Sequence, residues 1–349
     1  MIFAMSDIHG NLEAFRKRAE QLEPYLKKGD KLLLLGDFID RGKDSFGCLK
    51  LAKELQDTYG KDQVIVIKGN HEVWFLDFLT DLGNDWLAED RGYGTSKTFL
   101  SKEKYDILLT ISPRDEKWDY IRNAIKSEHK EFLQWMEELP LYYETPTQIF
   151  THAGVDEDIP EEEISYCTLA TPDYIFTGKY PPTTGKFPKD IIAGHVASSH
   201  VAQDPYHRGV YFDGYSHYYI DGSVNKTEVL VCLAYDEDEK EYYELMDDGS
   251  MKPIRAKGNV NELDRGLLES TMDEAQQYYI SQSLKECYQE LLSKAKEKMS
   301  LVEGVIRLDS EFCELIERLE TDQEFREQFH QDVEEIKQIR IPLEEERTE

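Results

Sequence analysis

Short apolar runs that stop at a glycine and a knot of polar side chains recur along the chain. The clearest is residues 31–42, KLLLLGDFIDRG, where Leu32 to Leu35 give way at once to Gly36 and Asp37. A continuous apolar run of this length closed by glycine predicts a strand buried on both faces. Four other runs share the format. Residues 2–5 lead into Ser6-Asp7-Ile8-His9-Gly10, and 64–67 into Lys68-Gly69-Asn70-His71-Glu72. Residues 148–150 lead into Thr151-His152-Ala153-Gly154, and 190–193 into Gly194-His195. Between the early strands, Leu12, Phe15, Ala19, Leu22 and Leu26 fall at helical spacing, as do Leu49, Ala52 and Leu55. A third helix is predicted over 71–82. Strands and helices alternating at this length predict βαβ units and a largely parallel sheet. Ligands of open α/β sheets gather at the carboxyl ends of the strands, so five such ends predict one rim carrying a site.

The pattern changes at residue 85. Residues 85–140 are charged and helical in spacing, with Trp86, Trp118 and Trp135, and read as an insertion lying over the rim. Strand returns over 142–155. Residues 156–189, with Pro160, Pro172, Pro181, Pro182 and Pro188, predict a long irregular loop of the kind that is functional or mobile. Residues 209–213 and 218–222 predict strands. Residues 228–235 and 242–246 predict a closing hairpin around the acidic turn 236–239, which makes the second half of the core more antiparallel than the first. From about residue 258, leucines at helical intervals among Glu, Lys and Gln predict a helical region that covers the core or binds another protein. The expected division is therefore a catalytic domain over 1–250, with an insertion at about 83–140, and a C-terminal helical region over 251–349 ending in a disordered acidic tail.

Composition narrows the class. The chain has 349 residues and is 40% hydrophobic, enough for a sizeable globular core. A formal net charge of −30 argues against nucleic acid as a partner, because that binding depends on Lys and Arg displacing counterions. The five cysteines are widely spaced, with no Cys-x-x-Cys, and read as free thiols of a reducing cytoplasm. The N-terminus does not read as a signal peptide, and no apolar run approaches the ~20 residues of a membrane span. The expected location is cytoplasmic, without a membrane partner.

The charges at the strand ends carry the chemistry. Asp37, Asp40 and Arg41 follow a buried strand, where charge is costly unless it meets a metal, a partner or a ligand. Asp7, His9, Asp37, Asn70, His152 and His195 form a hard-to-borderline donor set suited to two divalent ions, manganese first, with iron or zinc open. One ion would take Asp7, His9 and Asp37; the other would take Asp37, Asn70, His152 and His195, so that Asp37 is shared. Two ions about 3.5–4 Å apart suit displacement at phosphorus. Arg41 offers a fork matched to two phosphoryl oxygens, and Asn70 an amide to a third. His71 is placed to protonate a leaving alkoxide, with Asp40 orienting it. Taken singly, Asp7 and Asp37 also fit helix N-caps, and Arg41 an ion pair with Asp37 or Asp40. His129 and His330 are expected at the surface; His200, His207 and His217 are undecided.

In order, DIHG, GDFIDRG, GNHE, THAG and AGH resemble the PPP family of metallophosphoesterases, above all its bacterial branch of lambda-type Ser/Thr phosphatases and symmetrical diadenosine tetraphosphatases. The likeness covers roughly residues 1–235 and includes Asp221-Gly222-Ser223, where relatives tend to have Asp-Thr-Gly. It implies a calcineurin-like β-sandwich flanked by helices, a dinuclear metal site, and direct attack by a metal-bridging hydroxide on phosphomonoesters. The catalytic residues it implies are His71, Asp40 and Arg41. The chain departs from the family between the two late histidines: residues 166–176 hold no arginine where relatives carry Trp-Ile-Arg. Arg91, Lys179 and Arg208 are the candidates to replace that clamp. The expected substrate is a phosphorylated protein or small phosphoester. The alternatives are symmetrical hydrolysis of diadenosine tetraphosphate, and a non-enzymatic scaffold that binds a protein partner, or another copy, through its C-terminal helices.

Overall fold

The computed structural model describes residues 1–83, 85–158 and 167–256. They belong to one compact unit that spans Met1–Met272. The expected C-terminal helices and His330 lie outside the described residues.

The chain opens with β1 (Ile2–Met5), α1 (Leu12–Leu26), β2 (Lys31–Leu34), α2 (Ser45–Tyr59), β3 (Val64–Val66) and α3 (Asn70–Thr80). β1 pairs with β2, and β2 with β3, in parallel. The insertion follows, with two short 3-10 turns at Asp85–Ala88 and Arg91–Tyr93. Four helices come next: α4 (Gly94–Phe99), α5 (Lys102–Thr110), α6 (Arg114–Glu128) and α7 (Lys130–Glu137). Then come β4 (Tyr142–Glu144), β5 (Gln148–Thr151), α8 (Cys167–Ala170), α9 (Asp173–Gly178), β6 (Asp190–Ala197) and α10 (Ser198–Val201). The chain closes with β7 (Tyr211–Phe212), β8 (His217–Asp221), α11 (Val224–Thr227), β9 (Leu233–Asp236), β10 (Glu241–Leu245) and β11 (Met251–Pro253).

The strands form two sheets, ordered β11-β10-β9-β1-β2-β3 and β4-β5-β6-β8-β7. The residue pattern pointed to a single rim; in the fold, β1, β2 and β3 come from one sheet, and β5 and β6 from the other. The family likeness implied this sandwich. Its physical basis is visible in the leucine run. Leu33 and Leu35 point into the layer between the sheets with Ile2, Ala4, Ile65, Phe150, Ile192 and Ile220. Leu32 and Leu34 point the other way, onto Phe15, Leu22, Leu49 and Ala52 of α1 and α2. Side chains alternate along a strand, so a strand with both faces covered must be apolar throughout. Each such leucine gains about 1.5–3 kcal/mol from burial. β11 extends the first sheet antiparallel to β10, past the boundary expected at residue 250.

The insertion lies only in part at the rim. Phe99, Leu108, Ile121, Ile125, Leu133 and Met136 join the core of α1 to α3. Trp86 is fully buried, its ring 4.9 Å from that of Phe75 and 5.0 Å from that of Phe78. Trp135 is buried and donates to Gln56 Oε1 (2.9 Å). His129 departs from the surface position expected of it. It is half-buried, its ring 4.5 Å from that of Phe46, and Nε2 donates to the Phe99 carbonyl (2.7 Å). A helical junction at His129, with aromatic neighbours on both sides, turned a polar-looking position inward.

A buried polar network ties the 156–189 loop to the second sheet. His217 sits between two carboxylates: Nε2 is 3.1 Å from Glu157 Oε2, and Nδ1 is 3.0 Å from Asp213 Oδ2. Lys179 donates to Glu157 (2.5 Å) and to the Val155 carbonyl (2.7 Å). Burial alone would raise the Glu157 pKa; hydrogen bonds from His217, Lys179 and Thr183 outweigh it and bring it to about 2, against a usual 4.5. Burial lowers the His217 pKa and the same carboxylates outweigh that, for a net rise. The Glu157 contribution to stability is therefore present above pH 4.5 and lost as pH falls towards 2. The His217 contribution is present below its usual 6.5 and lost as pH rises through its folded value. Discounted for partial exposure, the Glu157 share is about 1–2 kcal/mol. Thermal unfolding followed from pH 7 to 2 is expected to show Glu157→Gln less stable than the parent at neutral pH, with the gap closing below pH 4.5. A gap that stays constant across this range would contradict the assignment.

Candidate active site

The five strand ends meet. Asp7, His9, Asp37, Asp40, Asn70, His71 and His152 are each at most 5% exposed, and His195 stands partly buried beside them. The backbone is bent to achieve this. Asp7, His9, Asp37, Asp40, Arg41 and His195 have φ between 44° and 71°. Left-handed backbone at non-glycine residues costs of order 1–3 kcal/mol each and concentrates where function demands it. Two glycines make room for the carboxylates. A Cβ on Gly69 would run into the Asp37 side chain, and one on Gly194 into Ser6 and Asp7. Neither Asp7 nor Asp37 caps a helix: α1 is preceded by Asn11 and α2 is capped by Asp44.

Two groups of donor atoms share Asp37. Ligand atoms of His9, Asp37 and His71 lie within 4.8 Å of one another, as do those of Asp37, His152 and His195. Asp7 Oδ1 is 3.8 Å from His9 Nε2 and joins the first group; Asp7 Oδ2 accepts the His195 N–H (2.9 Å). Asn70 Oδ1 lies 3.0 Å from His152 Nε2 and 2.9 Å from His195 Nδ1, within the second. Backbone carbonyls set two tautomers. His9 Nδ1 donates to Ile39 (2.8 Å) and His152 Nδ1 to Leu35 (2.7 Å), which turns both Nε2 atoms inward. Metal-bound histidines are typically oriented in this way.

The charges are uneven. Burial pushes His9 down to about 3, and burial together with the nearby His152 pushes His195 down to about 4. Both are neutral at pH 7 and offer lone pairs. Burial pulls His152 down, but Asp37 beside it more than compensates and brings it to about 10. Burial opposes the ionised form of Asp37, yet His152 and His71 hold it well below the usual carboxylate range. Burial and the charge of Asp7 push Asp221 up to about 8. Convergent carboxylates, an amide oxygen and imidazole nitrogens suit divalent cations of the hard-to-borderline kind. The donor set fits the implied ions.

Beside this cage stands a second unit. His71 Nδ1 is 2.6 Å from Asp40 Oδ2. Burial lowers the His71 pKa, but Asp37 and Asp40 raise it, for a net value of about 9. Arg41, half-exposed, donates through Nη1 to His9 Nε2 (2.9 Å) and lies 3.2 Å through Nη2 from His71 Nε2. Its nearest carboxylate among the ion pairs is Glu89 at 3.8 Å, so pairing with Asp37 or Asp40 is not its role.

The proposed replacements for the missing clamp are accounted for differently. Lys179 is spent on Val155, Glu157 and Thr183. Arg91 donates to the Ala88 carbonyl, and Arg208 to the carbonyls of Pro205 and His207; both are exposed.

Glu72 escaped the sequence reading. Its fully buried carboxylate accepts from the N–H groups of Asp37 (2.8 Å), Phe38 (2.8 Å), Ile39 (3.3 Å) and Gly69 (2.9 Å). It thereby pins the loop that carries Asp37 to the start of α3. A signal was present: Glu three residues after the helix-opening Gly69 is the spacing of a capping box.

The chain belongs to the calcineurin-like phosphoesterase family, whose pattern matches residues 1–232. Serine/threonine-protein phosphatase 2 of Escherichia coli is 39% identical over 88 residues, 25% of this chain and 37% of that protein. Serine/threonine-protein phosphatase 1 of Salmonella typhimurium is 37% identical over 114 residues, 32% of this chain and 49% of that protein. The symmetrical bis(5'-nucleosyl)-tetraphosphatase of Glaesserella parasuis is 25% identical over 158 residues, 45% of each chain. The chain thus spans less than half the length of each of these curated relatives. Among the described residues, no helix is long and apolar enough to cross a membrane.

Proposed function

We propose that the chain hydrolyses phosphomonoesters, with phosphoserine and phosphothreonine in proteins as the substrate class. The observation that carries this reading is the Asp40–His71 pair and Arg41 set against a cage whose two halves share Asp37. Asp7, His9 and Asp37 would hold one divalent ion, and Asp37, Asn70, His152 and His195 the other. When bound, the pair supplies positive charge to the phosphoryl oxygens and makes water more acidic near neutral pH.

The chain's own residues do the rest. Arg41, half-exposed and reaching both His9 and His71, turns its fork onto two phosphoryl oxygens and fixes the ester. In the ligand-free arrangement its Nη2 lies 3.2 Å from His71 Nε2. Two neighbouring carboxylates make that nitrogen basic, so the ring carries the proton at neutral pH. Asp40, bonded to Nδ1, aims the ring. His71 Nε2 then delivers its proton to the leaving serine or threonine oxygen, which would otherwise depart as an unstable alkoxide. Asn70 follows the same turn and adds an amide to the phosphoryl group.

The alternative substrate is a dinucleoside polyphosphate, the activity named for some relatives. Two of the insertion's tryptophans argue against a base-stacking platform there. Trp86 and Trp135 are buried and point their N–H groups inward. The test is turnover of a phosphothreonine peptide against diadenosine tetraphosphate, with manganese supplied. A higher kcat/KM is expected for the peptide; a preference for the dinucleotide by orders of magnitude would reject the substrate class while leaving the site assignment standing.

A further inference from the structure

The carboxylate of Asp40 is fully buried, and its partners outside the site come from the insertion. Trp86 Nε1 donates to Oδ1 at 3.0 Å and reaches Oδ2 at 3.1 Å. Thr95 Oγ1 donates to Oδ1 at 2.6 Å. The His71 bond at 2.6 Å takes the remaining face of Oδ2. We propose that Trp86 and Thr95 are positioning residues for the leaving-group proton, holding the Asp40 carboxylate aimed at His71 Nδ1. The role rests on the reading of His71 as the acid.

Both donors are themselves fixed. Trp86 is wedged against Phe75 and Phe78 in the core. The N–H of Thr95 donates to Asp90 Oδ1 (2.8 Å), as does that of Ser96 (3.1 Å), and Asp90 is only 4% exposed. Asp40 needs this support. It stands at φ 71°, in strained backbone, and its own N–H donates to Ser45 Oγ (2.9 Å). A carboxylate offers about four acceptor sites, and burying one without donors is costly. Trp86 and Thr95 fill the sites that His71 leaves. The pair lies 46 and 55 residues along the chain from Asp40, so the insertion is wired to the chemistry and does more than cover it.

A structural role alone would change all substrates together. A role in positioning the acid changes those whose leaving group needs a proton. An alkyl or seryl oxygen needs one, whereas a nitrophenolate leaves without it. The experiment compares kcat on a phosphoserine peptide and on p-nitrophenyl phosphate for Thr95→Val, Trp86→Phe, Thr95→Ser and His71→Asn, with manganese content and melting temperature recorded for each. The expected result is that the ratio of peptide kcat to nitrophenyl kcat falls about tenfold or more in Thr95→Val and Trp86→Phe, part of the 10²–10⁴ that a general acid supplies. It returns to near the parent value in Thr95→Ser, which keeps the hydroxyl. Two substrates that fall in step, or a ratio that does not move in Thr95→Val while His71→Asn lowers it, would overturn the positioning role and leave His71 as the acid. A His71→Asn variant with an unchanged ratio would remove the acid reading and the positioning role together. Thr95→Val keeps the side-chain shape, so it decides the matter even if Trp86→Phe disturbs the core.

Discussion

Asp37→Asn is expected to release both metal ions and to lower turnover on the order of a thousandfold. Asp37 is the residue common to both groups of donor atoms. Its Oδ2 lies 3.7 Å from His9 Nε2 and 3.3 Å from His152 Nε2, and its Oδ1 accepts the His71 N–H (3.1 Å). Asparagine keeps the shape and one acceptor oxygen but removes the charge. Of the carboxylates in the proposed donor set only Asp7 then remains, with imidazoles around it. Several kcal/mol of charge stabilisation at the phosphoryl oxygens leave with the ions, and each ~1.4 kcal/mol is a factor of ten in rate. Elemental analysis of dialysed protein, alongside turnover at rising manganese, tests this. Two ions retained per chain in the variant would refute the shared position.

His71→Asn separates the proton from the metals. Turnover of a phosphoserine peptide is expected to fall by roughly 10²–10⁴, the range supplied by a positioned general acid. Metal content should stay at the parent level, because His71 Nδ1 is committed to Asp40 and the other donors are untouched. The fall should appear in kcat more than in KM, since the proton moves as the bond breaks and the substitution leaves Arg41, the proposed phosphoryl clamp, in place. Loss of metal along with activity would mean that His71, whose ring nitrogen lies within 4.8 Å of donor atoms of His9 and Asp37, is a ligand. Full activity would remove it from the mechanism.

These expectations began in local pattern. A strand covered on both faces must be apolar throughout, so the leucines of β2 announced their own burial. Charged and metal-capable residues directly beyond such a strand have few bland explanations. Asp7, His9, Asp37, Asn70, His152 and His195 could therefore be picked out as candidates one strand end at a time, although the ends that bring them together belong to two sheets. Other features carry no such mark. Trp86 and Thr95 look like any buried aromatic and any helix-start hydroxyl, and nothing in their own neighbourhood says that they face Asp40. Lys179 looked like a free cation until Glu157 and Thr183 closed around it. His129 looked polar and exposed until two phenylalanines packed on it.

By itself, the sequence determined the buried strands, the turns that end them and the donors those turns display, because periodicity and residue chemistry act over a few positions. The tertiary structure alone decided that two sheets share the site, which cations are already paired, and which distant side chains hold Asp40 in place. Those are contacts between segments tens of residues apart, and they are set by packing and topology, for which no short stretch of chain carries a signature.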